Sequence, residues 1–222
     1  MNKHLRIFGA VVACATALIG CKTADNDADT TTTTSTTVPG LEQPAVWPAA
    51  NVRFATPKEA AQDFVTKVLH VDTNIGEFQP GDSLSGEIDV YSPESNVVRG
   101  TLLLRKLGPN QSWFVIGAIS SVNTILEPAH QGMVSAGSIT VSGKGRGFEA
   151  QLHVTAIDPT NPSTPIAEQF PMGGSAEEAL PFSTQIDLTN VKTGTTITIV
   201  VQGGVGLEND PGEFSAIVVT VG

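Results

Sequence analysis

From Phe148 onward, apolar and polar residues alternate: Phe148, Ala150, Leu152, Val154 and Ala156 share one face, and Glu149, Gln151, His153 and Thr155 the other. Strand side chains point alternately to the two sides of a sheet, so this spacing predicts a strand with one buried and one solvated face. Residues 138–142 alternate in the same way, and Gly143-Lys144-Gly145-Arg146-Gly147 between the two runs predicts a hairpin turn with positive-φ glycines. Further strand patterns cover 166–170, 180–188, 195–202 and 213–221, with a short one near 131–134. Turns fall at Asp158-Pro159, Pro171-Met172-Gly173-Gly174, Lys192-Thr193-Gly194 and Asp210-Pro211-Gly212. Six or seven short strands within residues 128–222 predict a β-sandwich. Its core is expected to draw on Ile197, Ile199, Val201, Ile186 and Leu188, together with Phe148, Phe170, Phe182 and Phe214.

The period changes upstream. Thr56-Pro57-Lys58-Glu59 has the form of a helix start, with Thr56 as N-cap, proline at the first helical position and Glu59 closing a capping box. Ala61, Phe64, Val65, Val68 and Leu69 then form an apolar stripe at helical spacing, ending near His70. Strands are expected at 86–91, 97–107 and 112–119, with another at 121–126. Residues 51–127 are therefore expected to form a small α+β domain, one helix on a short antiparallel sheet. The fold class is mainly β.

The first 50 residues follow neither pattern. Lys3, His4 and Arg6 precede an uncharged, mostly apolar run over 7–19, shorter than the roughly 20 residues a membrane-spanning helix needs. This is the layout of a secretory signal peptide. The run closes on Leu18-Ile19-Gly20-Cys21, which resembles the bacterial lipobox. Val11-Val12-Ala13-Cys14 is a weaker match that leaves only a stub of the apolar run behind it. The resemblance implies a signal peptide over 1–20 and acylation of Cys21, which would anchor the protein to the bacterial cell membrane from the extracytoplasmic side. Only two cysteines exist, so removal of Cys14 and lipidation of Cys21 leave no disulfide for the folded part. Residues 21–50 carry Asp25, Asp27, Asp29 and a threonine run, a composition that predicts a disordered linker. A flexible chain of about 29 residues averages ~30 Å end to end and reaches about 100 Å when stretched.

Composition adds one exclusion. Net charge is −10 over 222 residues, and loss of the leader with Lys3 and Arg6 takes it to −12. Binding nucleic acid through a basic surface is not expected.

A family resemblance emerges in the C-terminal half. Pro128, Gly132, Ile139-Thr140-Val141-Ser142-Gly143, Arg146-Gly147-Phe148-Glu149-Ala150, Pro181-Phe182-Ser183 and the closing 214–221 stretch resemble the immunoglobulin-like domain of bacterial spore-germination proteins. The resemblance implies an immunoglobulin-like sandwich over 128–222 in an envelope lipoprotein. Antibody hallmarks are absent from 128–222: Trp47 and Trp113 lie upstream, as does Tyr91, the only tyrosine, and the segment holds no cysteine.

Candidate chemistry is sparse. Gly81-Asp82-Ser83-Leu84-Ser85 spells the nucleophile block of the GDSL esterases. Pro80 precedes it where a parallel core strand should end, and no Asp-x-x-His follows anywhere. A hydrolase is therefore not expected. His70, His130 and His153 lack zinc spacing, and the acidic group Glu208, Asp210 and Glu213 lacks the calcium-loop pattern, so no cofactor or metal is expected. The chain is expected to be a non-catalytic binding module of the envelope, anchored to the membrane through Cys21. Its partner would be an envelope protein or a cell-wall polymer, met by Lys144, Arg146, Glu149, Gln151 and His153. The alternative is a small-molecule or hydrolytic site in 51–127, lined by Trp113, Tyr91 and Ser83.

Overall fold

The computed structural model describes residues 41–175 and 178–222. The expected signal peptide, Cys21 and the linker up to residue 40 lie outside the described residues. Helix α1 (Pro57–Lys67) starts as its sequence dictates. The Thr56 hydroxyl accepts from the Glu59 N–H at 3.2 Å, and the Glu59 carboxylate accepts from the Thr56 N–H at 3.0 Å. Strands β1 (Gln79–Pro80), β2 (Ser85–Tyr91), β3 (Val98–Leu107) and β4 (Ser112–Ile119) form an antiparallel meander. There follow β5 (Thr124–Glu127), β6 (Met133–Val134), β7 (Ser138–Gly145), β8 (His153–Ile157), β9 (Ala167–Gln169), β10 (Leu180–Asp187), β11 (Thr196–Gly203) and β12 (Glu213–Val221).

These strands make two sheets. The larger has nine strands in the order β1-β2-β3-β4-β12-β11-β8-β9, with β6 added in parallel to the end of β12. The smaller has the order β10-β7-β5. The segments 51–127 and 128–222 thus share one sheet, joined where Ala118 of β4 faces Ala216 of β12. β5 pairs with β7, so the strand expected near 121–126 belongs to the small sheet. Approach of these two strands depends on Gly143, where an added Cβ would stand 1.9 Å from the Thr124 carbonyl oxygen.

The interior has two main apolar cores, one on either side of β8, β11 and β12. Val154, Ala156, Ile197, Ile199, Val201, Ile217, Val219 and Val221 face the small sheet, where Val141, Phe182, Ile186 and Leu188 meet them. The alternate residues Ile157, Val200, Phe214, Ala216 and Val218 face α1 and strands β2–β4, with Phe64, Ile88, Leu102 and Val115 among them. β8 therefore has no wet face over Val154–Ile157, correcting the half-solvated strand expected there. Its other side is covered, and Thr155 is buried with the apolar residues.

Four further expectations are corrected. The stretch 138–157 is no hairpin: β7 and β8 lie in different sheets, and the glycines at 143, 145 and 147 are not among the positive-φ residues. Residues 148–150 form a 3₁₀ turn, so the strand begins only at His153. Phe148 and Phe170 are exposed rather than core, and Phe214 serves the α1 core instead of the sandwich. The linker also ends earlier than residue 50. Val46 and Trp47 are buried, Trp47 pairs with Val115, its indole N–H donates to Asp63 at 2.8 Å, and the Val46 carbonyl accepts from the Thr198 hydroxyl at 2.5 Å.

Phe214 is fully buried beside Phe64. Truncation of a buried phenylalanine leaves a cavity, so Phe214→Ala is expected to lower unfolding free energy by about 3–5 kcal/mol in urea titration. Ile119→Ala, at a position 53% exposed, should change it by no more than about 0.5 kcal/mol.

Candidate functional site

One end of the wall formed by β8, β11 and β12 carries a groove made of three clefts that share residues. The first, ≈ 580 Å³, runs between the start of β3 and the end of β4, past Val97, Val98 and Ile119 to Arg99, Arg146 and Glu213. The second, ≈ 460 Å³, continues from those three residues to Phe148, Glu149 and Gly204. The third, ≈ 270 Å³, goes on from Phe148 and Gly204 to Gln151, His153 and Phe170.

An ion-pair network builds the centre of the groove. Arg99 grips Asp210 with two N–H groups, at 2.9 and 2.8 Å, and reaches Glu213 at 3.5 Å. Arg146 approaches the same Glu213 oxygen at 3.3 Å. Asp210 also accepts from the Ser92 hydroxyl at 2.6 Å and the Gly212 N–H at 2.9 Å. Burial opposes its charge, but the Arg99 guanidinium, Ser92 and Gly212 together outweigh that and hold the carboxyl below its ordinary value. The Asn123 amide ties the network to the sandwich: it donates to the Glu213 carbonyl at 2.7 Å and accepts from the Arg146 N–H at 2.8 Å. The acidic turn at 208–213 is thus partly interior, with Asp210 and Glu213 buried. Their carboxylates are occupied by arginine, and no metal-holding cluster occurs among the described residues.

The wall beyond the network is aromatic. Phe148 is 59% exposed and Phe170 54%. His153 stacks on Phe170 with ring centroids 4.9 Å apart and planes within 5°, while its Nε2 lies 2.7 Å from a Glu168 oxygen. Phe148 is presented by a strained turn: Glu149 and Ala150 both have positive φ, 54° and 63°. Backbone bonds hold that turn, from the Phe148 N–H to the Gly204 carbonyl at 2.7 Å and from the Gly173 N–H to the Ala150 carbonyl at 2.7 Å. Gly203 permits the close approach, since a Cβ there would stand 1.8 Å from the Arg146 carbonyl oxygen.

Of the residues proposed from sequence, Arg146, Glu149, Gln151 and His153 line the groove, in two neighbouring clefts. Lys144 does not; it is exposed on β7 and lines none of the clefts described. The sequence did not single out Arg99 and Ser92, and it offered Asp210 and Phe170 only as part of an acidic group and as a core residue. Arg99 and Ser92 meet Asp210 across 111 and 118 residues, a pairing without a local signal. In the N-terminal half, Ser83 lies in the exposed loop between β1 and β2. There the Asp82 carboxylate accepts from the Leu84 N–H at 2.7 Å, which helps to hold it below its ordinary value. Tyr91 ends β2 at the opposite extreme from that loop, and Trp113 is buried against Phe78. These three residues do not converge.

Comparison with known proteins identifies the class of the second half. Residues 124–203 match a family model described as the immunoglobulin-like domain of bacterial spore germination. The match opens at β5 and closes at the end of β11, so it covers the small sheet, β8 and the aromatic turn but not β12. No curated protein and no solved structure matches the chain.

Asp210→Asn removes a charge that two guanidinium N–H groups address, and breaking a buried pair of this kind costs about 3–5 kcal/mol. Because the folded carboxyl lies below its ordinary 3.8, its contribution is full above that pH and is lost progressively as pH falls from there through the lower folded value. Urea titrations should therefore separate wild type from the variant at pH 7 and bring them closer together near pH 3.

Proposed function

We propose that this protein is a lipoprotein of the bacterial envelope, held at the membrane by Cys21, and that its groove is a non-catalytic binding surface for another envelope component. The observation that carries the reading is the position of the groove relative to the point where the preceding chain joins. Leu41 lies by Thr195, Thr196 and Asp158, at the end of β11 and β8 opposite Gly203 and His153. A β-strand advances about 3.4 Å per residue. The eight residues of β11 therefore separate the two ends by about 25 Å. The chain that enters at Leu41 therefore does so at the end away from the groove.

Several features support a binding role. The similarity of 124–203 to an immunoglobulin-like domain of spore germination is to a β-sandwich module, and such sandwiches present ligands at strand ends and loops. At the groove centre Asp210 and Glu213 are committed to arginine partners, an arrangement suited to shape rather than proton transfer. The folded part already includes Leu41, packed beside Leu107 and Phe114, and Glu42, which accepts from the Gly108 N–H at 2.7 Å, so the linker is shorter than residues 21–50.

Cys21→Ser is expected to move the protein from the membrane pellet to the soluble fraction and to abolish labelling by radioactive palmitate. Retention in the pellet without label would contradict the anchor. The full-length chain used as bait in envelope extract should recover a specific component, and the recovery should fall when Phe148 is replaced by alanine.

A further inference from the structure

Within the binding role proposed above, on which this inference rests, we propose that the groove receives a neutral, extended glycan, with sugar rings stacked on Phe148 and on the His153–Phe170 pair. A pyranose has flat C–H faces and a rim of hydroxyls, so it needs an apolar plane with polar groups beside it. The groove supplies both. Phe170 lies parallel to His153 within 5° and is 54% exposed, Phe148 stands exposed across the ≈ 270 Å³ cleft, and Gln151 and Glu149 border the rings. Aromatic side chains contribute large, rigid contact area, and Phe148 is further fixed by Gly206, where an added Cβ would stand 3.2 Å from its ring.

Charge selects a neutral polymer. Arg99 and Arg146 are the cations of the groove centre, and Asp210 and Glu213 balance them at 2.8 to 3.5 Å, so no net positive field draws an anionic chain. Continuity selects an extended one, because adjacent clefts share Arg99, Arg146 and Glu213 and then Phe148 and Gly204. A peptide added by main-chain pairing is disfavoured. The backbone around the aromatic turn is already paired internally, Phe148 N–H to Gly204 O, Gly147 N–H to Gly174 O, and Gly173 N–H to Ala150 O. The described chain enters at Leu41, near the opposite end of β11, so its entry does not occupy the groove.

The test is calorimetric titration of the full-length chain with β-1,4-linked tetramers of N-acetylglucosamine, glucose and mannose, beside polygalacturonate and a proline-rich ten-residue peptide. Saturable binding of at least one neutral tetramer is expected, weakened about tenfold or more in Phe148→Ala and in Phe170→Ala. Phe148→Tyr, which keeps the flat face, should retain it, and urea midpoints will show that the alanine variants fold. No binding of any neutral tetramer at millimolar concentration overturns the inference. So does binding that both alanine variants leave intact, or binding of the peptide or polygalacturonate alone. Recovery of an envelope protein by the bait while every tetramer fails removes the glycan and leaves the binding role standing. Failure of both experiments removes both.

Discussion

The fold depends on three strands, β8, β11 and β12, that are apolar on both faces. Each of their side chains commits to one of two cores by simple alternation. Ile197, Ile199 and Val201 go to the sandwich, while Val200 and its neighbours Ala216 and Val218 go to the α1 side. A strand buried on both faces cannot slip by one residue without exchanging the contents of the two cores, so register here is set twice over. It also means that the α1 layer has no complete core of its own, because it needs Phe214 and Val218 from the last strand. The sandwich core draws on residues from Ile125 onward, but without that layer the other face of its wall, with Ile157, Val200 and Val218, would lie bare. With neither cysteine among the described residues, this shared burial rather than a disulfide holds them together.

The groove is a consequence of that wall. Where β11 ends and β12 begins, the turn 204–212 returns across the top, and Asp210 and Glu213 enter low-exposure positions that only paired charges tolerate. Arg99 from β3 and Arg146 after β7 supply the pairing, so one network ties the meander, the long turn and the small sheet at a single point. Rigidity at the centre lets the aromatic turn beside it keep a strained backbone. Phe148 remains in water because Glu149 and Ala150 hold left-handed conformations that the surrounding hydrogen bonds enforce.

Much of this was legible from the sequence and some was not, for physical reasons. The capping box at Thr56, the strand positions and most of the sandwich core follow from local chemistry and period, and the immunoglobulin-like class is borne out by the match over 124–203. The alternation beginning at Phe148 misled because a turn can repeat the same polar pattern. Glu149 and Ala150 turn the chain, and Phe148 points outward. Whether a strand's second face is wet depends on what covers it, and the cover, α1 with Ala45–Trp47, lies about a hundred residues away in the chain. Arg99 and Asp210 are invisible as a pair for the same reason. Arg146, Glu149, Gln151 and His153 were found because they lie close together on a single stretch that borders the groove.

Two-probe unfolding tests the shared wall most directly. Trp47 and Trp113 both lie in the α1 core, so their fluorescence reports that side alone, whereas far-ultraviolet circular dichroism reports the strands of both sheets. In urea titrations of the full-length chain the two signals should give one midpoint and one slope, as a single cooperative unit requires. Loss of tryptophan signal at a lower urea concentration, with most of the dichroism retained, would mean that the sandwich stands without its neighbour and would contradict the account.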